Sequence, residues 1–158
     1  QDIVKAFAAM FPYTYRGRDL SKQYLAGKIS FVKMTDFRFL PGNRAQFKLH
    51  FDGRKIKTKK VPSYAKSQVK SLKGAVRGGS VLVEVSAFIH NSRRLLVLDP
   101  HAVGVRFNRN NTSGNQSRFL DAVNKKIFNG QKRIPLPSGL KSPLQALSTP
   151  NYLVVIPK

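Results

Sequence analysis

Apolar and polar residues repeat along this chain with two different periods. Between residues 28 and 107 they mostly alternate, as in strands with one buried face. In three shorter stretches the apolar residues recur every third or fourth position, as on amphipathic helices. The first such stretch is 2–11, DIVKAFAAMF, with Ile3, Val4, Phe7, Ala8, Met10 and Phe11 on one stripe, Asp2 near the N-cap and Pro12 as the stop. Residues 13–18 read as a loop or edge strand. Residues 28–40 read as one long strand whose apolar phase changes, from Ile29 and Phe31 to Val32 and Met34 and then to Phe37 and Phe39. A slip of one residue swaps faces, so a bulge or sharp coil is expected near Thr35-Asp36, as where a sheet bends.

After a turn at Pro41-Gly42-Asn43 comes the most patterned segment, 44–60, RAQFKLHFDGRKIKTKK. Phe47, Leu49 and Phe51 alternate with Gln46, Lys48 and His50, and Asp52-Gly53 is a two-residue hairpin signal. A hairpin with that loop sets Phe51 against Arg54, Leu49 against Ile56 and Phe47 against Thr58. On the other face it sets His50 against Lys55, Lys48 against Lys57, and Gln46 against Lys59. Like charges directly opposite one another destabilise a sheet, and the expected compensation is a polyanion lying across that face.

The second helix is predicted over 63–77, with Ser63 as N-cap after Pro62 and Gly78-Gly79 as the stop. Ala65, Val69, Leu72 and Val76 form its apolar face; Lys66, Lys70, Lys73 and Arg77 form the other. Residues 80–90 alternate cleanly, with Val81, Val83, Val85, Ala87 and Ile89 on one face. Leu95–Leu98 is an apolar strand interrupted at Asp99-Pro100, and extended structure resumes over 102–107. The Asn-rich stretch 108–117 reads as a loop. A third helix runs from a Ser117 cap to about Phe128, followed by a Pro-rich basic arm over 131–150 and a short last strand over 152–156.

Charge changes the picture. There are 158 residues, and 29 Lys and Arg against 7 Asp and Glu give a formal charge of +22. Such a chain repels itself when compact and attracts nucleic acid or anionic membrane. The hydrophobic fraction of 41% is enough for a packed core, which sets the chain apart from a disordered basic tail. With no Cys, a disulfide framework and a thiolate metal site are excluded. No apolar run approaches the roughly 18 residues of a membrane span, no signal peptide is visible, and the 2–11 stripe carries a single Lys, a poor fit to anionic lipid. The expected setting is intracellular (cytoplasm or nucleoid) or within a virion, with no membrane partner.

The order strand, strand, strand, helix, strand, strand over roughly 28–107 resembles that of OB-fold single-stranded nucleic-acid-binding proteins, phage-type ones included. Points of likeness are the long kinked first strand, the following hairpin, the helix before the fourth strand, and the Gly78-Gly79-Ser80 entry into alternating valines. The resemblance implies a mainly β fold with flanking helices: an OB-like five-stranded, partly open barrel with a helix between strands 3 and 4. Residues 1–27 and 108–158 are then N- and C-terminal extensions, candidates for contacts in a homo-oligomer. Rival architectures are a jelly-roll coat protein or another five-stranded barrel. Single-strand binders of bacteria and phages often end in an acidic tail, whereas here no acid follows Asp121.

Catalysis is poorly supplied. A metal-dependent nuclease or polymerase needs clustered carboxylates, and Asp2, Asp19, Asp36, Asp52, Glu84, Asp99 and Asp121 show no ligand-like spacing. Asp99-Pro100-His101 reads as a strand break. Nucleophile-elbow and phosphate-loop patterns are missing, so neither an enzyme nor a cofactor is expected. Binding is better supplied, because a single-strand binder needs cations along the backbone and aromatic faces for the bases. Arg38, Arg44, Lys48, Lys55, Lys57 and Lys59 are the candidate cations, with His50 among them. Phe31, Phe37, Phe39, Tyr64, Phe88 and Phe107 are the candidate platforms, with Phe37, Phe39 and Phe88 placed in the site. Phe88 stands out because it sits on the polar phase of its strand, opposite the valines. The function expected is binding of single-stranded nucleic acid, DNA in replication or recombination first and RNA second. The alternative is a structural nucleic-acid-associated protein: a coat or virion component, or a ribonucleoprotein subunit.

Overall fold

The alternating pattern becomes one curled antiparallel sheet. A computed structural model describes residues 14–16, 24–136, 144–148 and 153–157, so the amphipathic stretch 2–11 lies outside the described residues. Strands β1 (Thr14–Arg16), β2 (Leu25–Ala26), β3 (Lys28–Leu40), β4 (Arg44–Asp52) and β5 (Lys57–Thr58) come first. A 3-10 turn at Ser63–Ala65 then leads into helix α1 (Lys66–Ala75). After it come β6 (Gly78–His90), β7 (Leu95–Phe107), helix α2 (Ser113–Lys126), β8 (Lys132–Pro135), β9 (Leu144–Ser148) and β10 (Leu153–Pro157). The main sheet has six strands in the order β1-β3-β4-β6-β7-β8; β2 pairs with β5, and β9 with β10. The mainly β class holds, with 50% of residues in strands.

Strand β3 bends where its apolar phase changes. Its register against β4 shifts between Phe31 and Lys33 and again between Thr35 and Arg38, and Asp36 takes a left-handed φ of 55°. The two extra residues return Met34 and Phe39 to the inner face, opposite Leu49 and Ala45. The turn at Pro41–Asn43 closes this hairpin with positive φ at Gly42 and Asn43.

The expected 44–60 hairpin does not form. Neither Asp52 nor Gly53 has the positive φ that a two-residue primed turn requires. Instead the Asp52 carboxylate accepts the Arg54 backbone N–H at 2.9 Å and pairs with its guanidinium at 2.7 Å. The Gly53 N–H donates to Arg77 O at 3.1 Å. A Cβ at Gly53 would stand 1.9 Å from the Val76 carbonyl oxygen, so glycine serves close approach here rather than unusual φ. The chain leaves the sheet, and β5 pairs with β2, Thr58 opposite Leu25 and Lys57 opposite Ala26. The free edge of β4 takes β6, which sets Val81, Val83 and Val85 beside Leu49, Phe47 and Ala45. The stretch 54–60 offers only Ile56 to an inner face, so apolar burial along β6 outweighs the local turn signal. The stacked lysine pairs of the expected hairpin are therefore absent, and so is the third strand of the expected barrel. The main sheet is an open meander with β1 and β8 at its edges.

Both helices cover the inner face. Ala65, Val69, Leu72, Ala75 and Val76 are buried from the α1 side, Phe119, Val123 and Ile127 from the α2 side, as the helical spacing predicts. Phe51 lies at the centre, with ring centroids 4.9 Å from Phe119, 6.1 Å from Phe107 and 6.4 Å from Phe31. Tilted and edge-to-face contacts of this kind add about 0.5–1.5 kcal/mol each beyond area burial.

Three boundaries differ from expectation. Ser63 makes no capping hydrogen bond, and α1 begins after the 3-10 turn. Helix α2 starts inside the Asn-rich stretch, where the Thr112 hydroxyl accepts the Asn115 N–H at 3.2 Å. Strand β7 runs straight through Asp99-Pro100. Proline is tolerated there because β8 pairs only with Leu95–Leu98, so Pro100 lies past the end of that ladder. Beyond it the Asn124 side chain substitutes for a neighbouring strand, accepting from Ala102 N at 2.7 Å and donating to Ala102 O at 2.9 Å. The Pro-rich stretch contributes β8 to the sheet and β9 to the terminal hairpin.

Candidate nucleic-acid interface

Arg38, Arg44, Lys48 and His50 come together on the outer face of the sheet. Register sets His50 beside Lys33 and Ser80, Lys48 beside Thr35 and Leu82, and Arg38 across Gln46 from Glu84. Acids are interleaved with these cations. Lys48 Nζ lies 3.2 Å from an Asp36 oxygen, and Arg44 Nη1 lies 3.8 Å from Glu84. Arg38 Nε donates to Gln46 Oε1 at 3.0 Å, and Gln46 Nε2 passes the chain on to Glu84 at 3.2 Å. The Thr35 hydroxyl is 2.7 Å from His50 Nε2. Partial burial, then the charges of Lys33 and Lys48, hold the His50 imidazole below its ordinary pKa against an opposing pull from Asp36. This face is a polar ladder with its own counter-charges.

The three phenylalanines separate. Phe37 stacks on the fully buried Phe47 at 6.0 Å with rings 13° apart, and Phe39 meets Phe37 edge-on at 5.2 Å. Both lie on the packed side, away from Lys48 and His50. Phe88 is 43% exposed; it sits past the end of the β4 ladder, which stops at Arg44 and Ser86.

Lys55, Lys57 and Lys59 belong to a different surface. The β2–β5 clasp carries them off the main sheet, and Lys59 lies alongside α1. The clasp is fixed by Ile56, which is 2% exposed, and by the Lys59 N–H, which donates to Tyr24 O at 2.7 Å. It is tightened at Gly27, where a Cβ would lie 2.3 Å from Lys55 O. Between the clasp and α1 runs a groove of about 400 Å³ lined by Thr58, Lys59, Val61, Lys66, Val69, Lys70 and Lys73. Two residues before the groove-lining Lys66, Tyr64 is 84% exposed, with its hydroxyl 3.5 Å from that of Tyr24.

Counter-charge distinguishes the two surfaces. The chain has no Asp or Glu between Asp52 and Glu84, a span that holds Arg54, Lys55, Lys57, Lys59, Lys60, Lys66, Lys70, Lys73 and Arg77. Within it Arg54 pairs with Asp52, and Lys66, Lys70 and Lys73 have no acidic partner among the described ion pairs. By contrast Asp36, Asp52, Glu84 and Asp99 all lie on strands of the main sheet. Reading the acid-free span from the sequence would have found this surface, whereas attention to strand alternation led to the sheet face.

Among the described residues no three His, Asp or Glu side chains group closely enough to hold a metal ion, and no helix is long and apolar enough to cross a membrane. Asp99 and His101 stay together at 3.4 Å beside the end of α2. Set beside known proteins, the chain matches no protein-family model, no curated protein and no solved structure.

Proposed function

We propose that this protein binds single-stranded nucleic acid along the β5–α1 surface. Lys66, Lys70 and Lys73 take the phosphates, and Tyr64 provides a face on which a base stacks. The observation that carries this reading is the concentration of Lys66, Lys70 and Lys73, none with an acidic partner among the described ion pairs, around one groove. Phosphate binding requires positive charge that the protein has not already neutralised. The sheet face, where Asp36 and Glu84 sit among the cations, is the weaker competitor. Tyr64, 84% exposed and two residues before the groove-lining Lys66, favours single strands, because bases in a duplex are already stacked on one another. The proposal draws on surface chemistry and does not depend on an OB-type barrel.

The test is fluorescence anisotropy with single-stranded DNA, single-stranded RNA and duplex DNA of equal length across a salt series. Single strands are expected to bind more tightly than duplex. Tyr64→Ala should weaken single-strand binding by about 5-fold or more, as loss of one stacked base does, while Tyr64→Phe retains it. Duplex binding that equals or exceeds single-strand binding, with Tyr64→Ala silent, sinks the proposal.

A further inference from the structure

Helix α1 has a second flank with different chemistry. Lys66, Val69, Lys70 and Lys73 face the lysine groove, whereas Ser67, Gln68 and Ser71 face a separate groove of about 360 Å³ against the start of α2. Thr112, Gly114, Asn115 and Arg118 complete that second groove. Its volume falls within the range of pockets that hold small ligands, and apart from Arg118 its lining is uncharged and polar.

Its floor is built and fixed. Asn115 Nδ2 donates to Ser71 Oγ at 3.0 Å and to Asn110 O at 3.0 Å, and Asn110 Nδ2 donates to Ser71 O at 3.1 Å. Gly74 allows the Asn-rich loop to come this close, since a Cβ there would stand 2.6 Å from Asn110 Nδ2. The amides that made 108–117 conspicuous in the sequence thus tie α1 to α2. The Ser67, Gln68 and Arg118 side chains have no hydrogen bond or ion pair among those described and stand exposed at the rim.

One turn of α1, residues 66–70, therefore presents phosphate-binding cations on one flank and an unengaged amide on the other. Phosphate contacts position a nucleic acid, and hydrogen bonds to base edges specify it. Resting on the proposed single-strand binding, we infer that this second groove takes a nucleobase of the strand whose phosphates lie on Lys66 and Lys70. Gln68 and Arg118 then select that base by its hydrogen-bonding edge. A side-chain amide suits adenine and a guanidinium suits guanine. The groove makes the protein a base-selective binder rather than an indifferent one.

The test compares the full-length chain with Gln68→Ala and Gln68→Glu for binding to dA, dC and dT oligomers of equal length at several salt concentrations. The wild type should favour dA by about 5-fold or more, the lower end of what one bidentate base contact discriminates. Gln68→Ala should bring the three affinities together with the salt dependence unchanged. Gln68→Glu should move the preference toward dC, whose amino group a carboxylate accepts. Position 68 is exposed, so neither change disturbs the core. Salt-dependent binding with equal affinities, or a preference that survives Gln68→Ala, overturns base selection and leaves single-strand binding standing. No salt-dependent binding to any oligomer overturns both.

Discussion

Replacing Lys66, Lys70 and Lys73 together by Ala separates the α1 surface from the sheet face. All three line one groove, and none has an acidic partner among the described ion pairs. On single strands the slope of log K against log salt is about −0.7 per neutralised phosphate, so three lost contacts reduce its magnitude by about 2.1. Raising salt from 50 to 200 mM is a factor of four, so the triple variant should lose about 18-fold less affinity than the wild type over that interval. Ala has the higher helix propensity, and the buried Val69, Leu72 and Ala75 are untouched, so the fold is retained. The assay is anisotropy titration of a labelled oligonucleotide at four or five salt concentrations, with thermal melts as a control for folding. The comparison variant, Arg38→Ala with Lys48→Ala, removes two cations already engaged with Gln46 and Asp36 and should barely change the slope. Parallel lines for wild type and triple variant, or a slope lost in the sheet variant instead, would refute the assignment of phosphate contacts to α1.

Other outcomes follow from the fold. Gly53→Ala should destabilise by about 1–3 kcal/mol in urea melts, since the new methyl overlaps the Val76 carbonyl oxygen, a backbone atom with little room to move. Asn124→Ala leaves both the N–H and C=O of the buried Ala102 unpaired, at about 1–3 kcal/mol for each group. His50 has a folded-state pKa below its ordinary value of 6.5, so the unfolded chain binds the proton more readily. Its contribution is fully present above pH 6.5 and lost as pH falls through that value toward the folded pKa. Denaturation midpoints should therefore drop from pH 7 to pH 5 in the wild type and less so in His50→Gln. Asp52 is held at about 2, first by the Arg54 guanidinium and then by the Arg54 backbone N–H. Stability from that contact persists above pH 3.8 and disappears toward pH 2, so Asp52→Asn should flatten the melting-temperature profile in that window.

Much of the fold was legible because burial imposes simple periods. The valines of β6, the apolar faces of α1 and α2 and the bend in β3 all follow from which residues can share an inner face. The failures have a common cause. Asp52-Gly53 signals a hairpin locally, yet the partner of β4 is set by a competition between 54–60 and 78–90, and the valine-rich segment buries more apolar surface. Likewise Asp99-Pro100 breaks a strand only where its N–H is needed, and β8 ends before that point. Pairing across tens of residues is invisible to a window of ten. The same limit affected the candidate site. Arg38, Arg44, Lys48 and His50 share a face as alternation implies, but Lys55, Lys57 and Lys59 leave the main sheet with the β2–β5 clasp. Phe37 and Phe39 fall on the packed side because the two bulges cancel and leave them in phase with Ile29 and Phe31.

The separation of acids from cations has a consequence for kinetics. Among the described residues, Asp36, Asp52, Glu84 and Asp99 sit on the main sheet and Asp121 on α2, while the span from Gly53 to Val83 carries no acid. A molecule charged so unevenly turns in the field of an approaching polyanion before any contact is made. If the β5–α1 surface binds nucleic acid as proposed, encounters begin with that side in front, which raises the fraction of collisions that are productive and speeds association at low ionic strength. Such orientation fades within a Debye length of about 8 Å at physiological salt, so the association rate constant should fall with added salt even where the dissociation rate does not change.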